Sequence, residues 1–202
     1  AYQISTKKIV QITDPIADAI TPVWDASGKY IYTLASTDYG LQTGWLDMSS
    51  YDPSVSRALY AIVLNSKDQA PVLPKTDEET IKKESVSKKE KQDNKKEIKK
   101  EDKKIKVIID ENGLFERAVA LKLPTSNYLA LLKGPKNKVF IAESKPNTPG
   151  LTVHSYDVAK EKATVFATGV SSMNASNDRN SILISKRGSW SIEDAKAAKA
   201  GK

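Results

Sequence analysis

Apolar and polar residues alternate along most of the chain, in short runs separated by turn-forming residues. The run from Tyr2 sets Ile4 two places on, passes a lysine-bearing turn and resumes alternation with Ile9 and Ile12. The run from Tyr156 repeats this with Val158, a turn through Lys160 and Glu161, and then Thr164 and Phe166. Period-two patterning on both sides of a short polar turn is the signature of a β-hairpin. A third version runs from Leu59 to Leu73, with Asn65-Ser66-Lys67-Asp68 as its turn.

A second hairpin type interleaves with the first. ITPVWDASGKYIYTLA turns at Asp25-Ala26-Ser27-Gly28 and continues in an aromatic and β-branched strand from Tyr30. YLALLKGPKNKVFIAES turns at Gly134-Pro135-Lys136-Asn137, and SSMNASNDRNSILISKRG turns near Ser176-Asn177-Asp178-Arg179. Gly28, Asn137 and Asn177 are the residues expected to take left-handed dihedrals, and Pro135 pre-sets the first turn position. The turns near 132 and 176 lie 44 residues apart. Forty-odd residues and two hairpins per unit is the repeat of a β-propeller blade. A sandwich would also show many short strands, but it does not require this alternation of two turn types.

The spacing therefore predicts an all-β chain: a partial β-propeller of about two complete four-stranded blades plus part-blades. Its parts fall at 1–13, 19–123, 126–168 and 171–195. The 19–123 part is overlong because it contains a long loop, 36–56, and a charged insertion, 75–104. After the insertion, Asn112-Gly113 is a strong turn signal. The alternating Arg117-Ala118-Val119-Ala120-Leu121 offers a firmer outer strand than Ala70 to Leu73. Closed propellers have 4–8 blades. Two blades and two part-blades do not close such a ring. Further blades are expected from polypeptide outside these residues, with self-association as the other way to cover the ends.

Composition changes the reading of the insertion. From Lys75 to Lys104 the chain has 12 Lys and 9 acidic residues, no aromatic residue and few apolar ones. Such a stretch buries too little surface to offset its ordering entropy, and a solvated, disordered insertion is expected. A nucleic-acid arm would carry an unbroken basic block, Arg forks or stacking aromatics. Acids recur here every few residues, so no nucleic-acid partner is expected. Outside the insertion the charge surplus is small, 20 basic against 16 acidic residues. The chain has no cysteine, which excludes disulfides, thiolate metal sites and cysteine nucleophiles. No apolar run approaches the roughly 20 residues of a membrane span.

Several segments together carry a family likeness. ASTDYGLQTGWLDMSSYDPSVSRALYAIVL (35–64), PVLPKTDEET, IIDENGLFERAVALKLPTSNY (108–128) and SSMNASNDRNSILISKRGSWSIEDA (171–195) resemble, in order, the propeller of bacterial tricorn-like serine proteases. A Lys/Glu/Asp-rich insertion at this place is typical of that family. The resemblance implies the C-terminal part of the propeller region, preceding helical, PDZ and protease-core domains. It also implies a periplasmic or secreted enzyme, a polypeptide substrate, and partners that are the remaining blades and the downstream domains. It places no catalytic residue in this chain. One departure stands out: the last inner turn reads Asp178-Arg179-Asn180 where the family commonly carries Asp-Gly-Lys.

The search for chemistry agrees with a non-catalytic segment. Serine hydrolysis needs a nucleophile, a base and an orienting group. The single histidine, His154, falls on a strand and has no G-x-S-x-G elbow to serve, so a half-buried strand residue is expected. No metal-binding or nucleotide-binding motif is present, and no cofactor is expected. Trp24, Tyr30, Tyr32 and Trp190 are expected to pack between blades. The long loop is different: Tyr39, Trp45, Met48 and Tyr51 are interspersed with glycine and aspartate. Long loops in compact folds are usually functional, and these four residues are the candidates for a substrate-channel wall or a domain interface. The leading expectation is a gating, channelling or assembly segment of a peptidase. The alternative is a TolB- or WD-type binding scaffold with no protease attached.

Overall fold

Hairpin turns and period-two alternation dictate antiparallel sheets of consecutive strands, and the described residues of the computed structural model form one hairpin followed by three such meanders. The structure describes residues 1–14, 18–36, 55–72, 105 and 107–201. A short hairpin, β1 (Tyr2–Gln3) and β2 (Lys8–Ile9), comes first. The first complete blade is β3 (Asp18–Trp24), β4 (Tyr30–Ser36), β5 (Ala58–Val63) and β6 (Ala118–Ala120), in that spatial order. The second is β7 (Tyr128–Lys133), β8 (Lys138–Ser144), β9 (Leu151–Asp157) and β10 (Lys162–Val170). A three-stranded sheet, β11 (Ser172–Ala175), β12 (Ser181–Lys186) and β13 (Ser189–Asp194), ends the series. Neighbouring sheets approach through their first strands, β3 against β7 and β7 against β11. The first strands therefore mark the inner side of the arc. The chain is a partial β-propeller of two complete four-stranded blades with a part-blade at each end.

The turns explain the local choices. In the first-to-second-strand turns, Gly28, Asn137 and Arg179 hold the left-handed position at φ 73°, 61° and 64°. The expected left-handed Asn177 is thus corrected. The turn resumes its strand two residues after Arg179, and there the guanidinium, not a small side chain, compensates the strained dihedral. Arg179 donates to the carbonyls of Trp24 (2.9 Å), Gly134 (3.4 Å) and Asp25 (3.4 Å), tying three turns together. Gly134 is required for another reason: a Cβ there would lie 2.6 Å from the Lys138 carbonyl oxygen. Asp25 is buried and stabilises its own turn, accepting from the Ser27 amide (2.7 Å) and from the Tyr32 hydroxyl (3.2 Å).

Alternation then assigns each blade two faces. Call the face toward the next sheet forward and the opposite one rear. Tyr32, Leu34, Leu59 and Ala61 point forward from the first blade and meet Val139, Ile141, Tyr156 and Val158 on the rear of the second. Phe140, Val153 and Phe166 point forward from the second blade and meet Ile182 and Ile184 of the last sheet. Phe140 and Phe166 pack edge to face with centroids 4.9 Å apart. Such a pair adds about 0.5–1.5 kcal/mol beyond the area it buries. A blade in this arrangement is apolar on both faces, which is why β8 reads as a nearly continuous buried run.

Between β5 and β6 the chain passes residues 64–117, which include the charged insertion. Residues 73–104, like the long-loop residues 37–54, lie outside the described residues. Ala70 to Val72 form no strand, and β5 takes β6 as its outer partner through Tyr60↔Ala120 and Ile62↔Ala118. Asn112-Gly113 does turn, with Gly113 at φ 63°, but leads into a single 3-10 turn, Phe115–Arg117. Arg117 secures this corner by donating to the carbonyls of Val63 (3.0 Å) and Asn112 (2.5 Å).

Tyr32 packs between blades as expected, whereas Trp24 and Trp190 do not: they are 40% and 60% exposed. Trp190 points forward from the last sheet, where no described sheet follows. Trp24 borders a recess lined by the β1–β2 hairpin and by Val107, Ile108 and Ile109.

Candidate functional site

The face that carries the β4–β5 connection also gathers a cluster of polar groups from both complete blades. The meander places the ends of β4 and β8 and the starts of β5, β7 and β9 on this one face. Arg57, just before β5, exchanges backbone hydrogen bonds with Ser126 (2.8 and 3.2 Å), bridging the first blade to the link that enters β7. Its guanidinium donates to the Asp18 carboxylate at 2.8 Å and to the Tyr128 carbonyl at 3.3 Å. Both ionic partners are largely shielded from water.

Glu143, near the end of β8, is the centre of the adjoining cluster. It is buried, and its Oε1 accepts from the Ser126 hydroxyl at 2.5 Å. Its Oε2 lies 2.6 Å from His154 Nε2 and 3.3 Å from the Lys145 ammonium. An ionised carboxylate only accepts, so Nε2 carries the proton in this contact. Burial pushes the Glu143 carboxyl upward, but hydrogen bonds from Ser126, His154 and Lys145 outweigh it, and the net shift is downward. The register makes the cluster: Glu143 faces Thr152 and Ile141 faces His154, so Glu143 and His154 are diagonal neighbours on the rear face of the second blade.

Serine, histidine and glutamate are therefore together, but in the wrong order for hydrolysis. A catalytic triad places the imidazole between hydroxyl and carboxylate, so that the base can take the hydroxyl proton. Here the carboxylate stands between the other two. The arrangement holds the blade-to-blade link; it does not activate a nucleophile.

A recess of about 500 Å³ opens beside this cluster, lined by Val55, Ser56, Ser126, Asn127, Glu143 and Lys145 among others. Its lining includes the foot from which the chain re-enters β5. Tyr39, Trp45, Met48 and Tyr51, the candidate channel or interface residues, belong to the β4–β5 connection and lie outside the described residues. His154 is on β9, partly buried, as its strand position implied. The Arg57, Glu143 and Arg179 contacts escaped sequence reasoning. The available signals were an acid closing the apolar run VFIAES and an arginine in a turn position that favours glycine.

A second recess, about 330 Å³, lies on the rear of the first blade, between Ile12, Thr13 and Asp14 on one side and Thr33, Ala35 and Ile62 on the other. Its walls are the alternating residues that, in the second blade, are covered by a neighbouring sheet. Among the described residues no three His, Cys, Asp or Glu side chains are grouped so as to hold a metal ion. No helix among them is long and apolar enough to cross a membrane.

Radially neighbouring antiparallel meanders joined through their first strands define the class, a β-propeller arc. Within that class, the structure is similar to a solved structure described as the crystal structure of the tricorn protease. The TM-score is 0.62 at 16% sequence identity, covering 96% of this chain and 18% of that chain. At this identity the likeness is one of fold, and the chain spans under a fifth of the protein it matches. No protein-family model matches the sequence, and no curated protein matches it.

Proposed function

We propose that this chain is a non-catalytic propeller segment of a tricorn-like serine endopeptidase, acting in substrate gating, channelling or domain assembly. In this reading it forms the last part of the propeller, before helical, PDZ and protease-core domains, in a periplasmic or secreted enzyme. Its partners are the other blades and those domains, and its substrate is polypeptide. The observation that carries the proposal is the match of nearly the whole chain to one portion of a much longer protease fold. The order of the Ser126, Glu143 and His154 contacts supports a segment without chemistry of its own. The exposed forward and rear faces at the two ends support a place among further blades.

Two measurements test it. The purified chain is expected to cleave neither unfolded protein nor fluorogenic peptides, and inhibitor-sensitive cleavage would overturn the non-catalytic assignment. Reading the gene beyond the codon for Lys202 is expected to show a helical region, a PDZ domain and a serine-bearing core. A stop codon after one or two more blades would replace the peptidase with a binding scaffold.

A further inference from the structure

The corner that returns the chain to β6 contains the only Asn-Gly pair in the sequence, Asn112-Gly113. Both residues are exposed, and the Leu114 amide donates to the Glu111 carbonyl (3.4 Å) to close the turn around them. Among the described residues, neither the Asn112 carboxamide nor the Gly113 N–H takes part in a hydrogen bond. Asn112 is held through its backbone, its N–H donating to Asp110 Oδ1 at 3.3 Å. An electrophile, the side-chain Cγ, and a nucleophile, the next backbone nitrogen, are thus both free. Gly113 sits at φ 63° and has no Cβ to crowd their approach.

Other turn asparagines lack one of these conditions. The Asn65 carboxamide accepts from the Lys67 amide, that of Asn177 accepts from Lys133, and that of Asn180 donates to Asp178. After Asn137 and Asn147 the next backbone N–H is spent on the carbonyls of Pro135 and Lys145. The Asn112 corner also carries a charge in a telling place: Arg117 Nη1 donates to the Asn112 carbonyl at 2.5 Å. That carbonyl and the Gly113 N–H are the two ends of one peptide unit. A guanidinium on the oxygen draws electron density from the nitrogen and makes its proton easier to lose. A Cβ on Gly113 would lie 3.7 Å from this Nη1, so the positive charge also stands beside the nitrogen. Glu116 Oε2, 3.5 Å from the same point, offers an acceptor for the proton.

We propose that Asn112 is a self-modification site, converting to aspartate and isoaspartate through a cyclic imide with water as the co-reactant. Gly113 N gives up its proton and bonds to Asn112 Cγ; the Cγ–Nδ2 bond then breaks, and ammonia leaves with a proton. Water opens the five-membered ring at Cγ to give aspartate, or at the backbone carbonyl to give isoaspartate. Nothing is oxidised or reduced. The isoaspartyl link adds one carbon to the main chain inside a corner that Arg117 ties to the Val63 and Leu64 carbonyls (3.0 and 3.3 Å). Conversion therefore loosens the entry into β6. This chemistry belongs to the corner alone and does not depend on the peptidase reading.

Ageing the purified chain in neutral buffer tests this. The tryptic peptide from Val107 to Arg117 is expected to gain one mass unit at least tenfold faster than any peptide bearing another asparagine. Part of the product is expected to accept methyl groups from an isoaspartyl methyltransferase. Asn112→Gln and Gly113→Ala should each lower the rate at least tenfold. Arg117→Gln should slow it at least threefold, and Arg117→Lys, which keeps the charge, should retain most of it. Circular dichroism verifies that each variant folds, and the wild-type measurement stands whichever of them do. A wild-type chain in which Asn112 converts no faster than the other asparagines, or converts only once unfolded in urea, overturns the proposal. A folded Arg117→Gln chain that converts as fast as wild type overturns the part given to Arg117.

Discussion

Tyr156 and Tyr2 hold the same place in matching hairpins, yet Tyr156 is wholly buried and Tyr2 is 58% exposed. Val153 and Trp190 differ in the same way: each pairs with the same position of its second strand, but Val153 is 0% and Trp190 60% exposed. The middle blade is covered on both faces and the end sheets on one. Strand pairing is thus the same throughout, while burial depends on whether a neighbouring sheet is present. Local patterning makes a blade, and stacking makes it stable, because most of the apolar area leaves water between blades and not within one.

The contrast is most sharply broken at its centre. Phe140→Ala removes a fully buried ring from the forward face of the middle blade and should cost about 3–5 kcal/mol in urea unfolding. Trp190→Ala, at a concentration where the chain is monomeric, should fall within about 0.5 kcal/mol of wild type. Equal costs would mean that the end sheet is covered after all.

The polar link between the complete blades comes next. Glu143→Gln weakens hydrogen bonds to a buried carboxylate and should cost about 1–2 kcal/mol at neutral pH. Because the folded-state pKa of Glu143 is lowered, its contribution is fully present above the ordinary value of 4.5 and is lost as pH falls through the lowered value. The difference between wild type and Glu143→Gln should therefore persist to pH 4.5 and close only below it, in unfolding midpoints measured against pH.

Arg179 sharpens the comparison at the edge, since it alone ties the last turn to both earlier ones among the bonds described. Arg179→Ala loses those bonds and keeps the left-handed strain, whereas Arg179→Gly loses the bonds and relieves the strain. The alanine variant should be less stable than the glycine variant by about 1 kcal/mol. In both, hydrogen exchange should accelerate in β11–β13 before β7–β10. The smallest effect is expected from deleting residues 76–103. The β5–β6 connection is then roughly halved, which changes closure entropy by only about 0.6 kcal/mol. Loss of the folded state on that deletion would show that the segment is part of the core.

Much of the fold was legible in advance. The Tyr2 and Tyr156 hairpins, Gly28 and Asn137 in the β3–β4 and β7–β8 turns, and the strand after Arg117 follow from backbone sterics and period two. Those are local rules, and a single strand obeys them without its neighbours. Trp24 and Trp190 show where such reading stops. An aromatic residue on an alternating strand predicts a packed face, but which face finds a partner depends on the number of sheets. Glu143 and Arg57 were equally silent, because their partners are brought in by blade stacking and by diagonal register.

The amino-acid sequence by itself determined the hairpins, their order and the all-β class, since dihedral preferences and alternation act within a few residues. Tertiary structure alone decided the Ser126–Glu143–His154 contact order, the three-carbonyl grip of Arg179 and the exposed end faces. Each of these depends on distances between residues far apart in the chain, and only the stacking of one sheet on the next sets those distances.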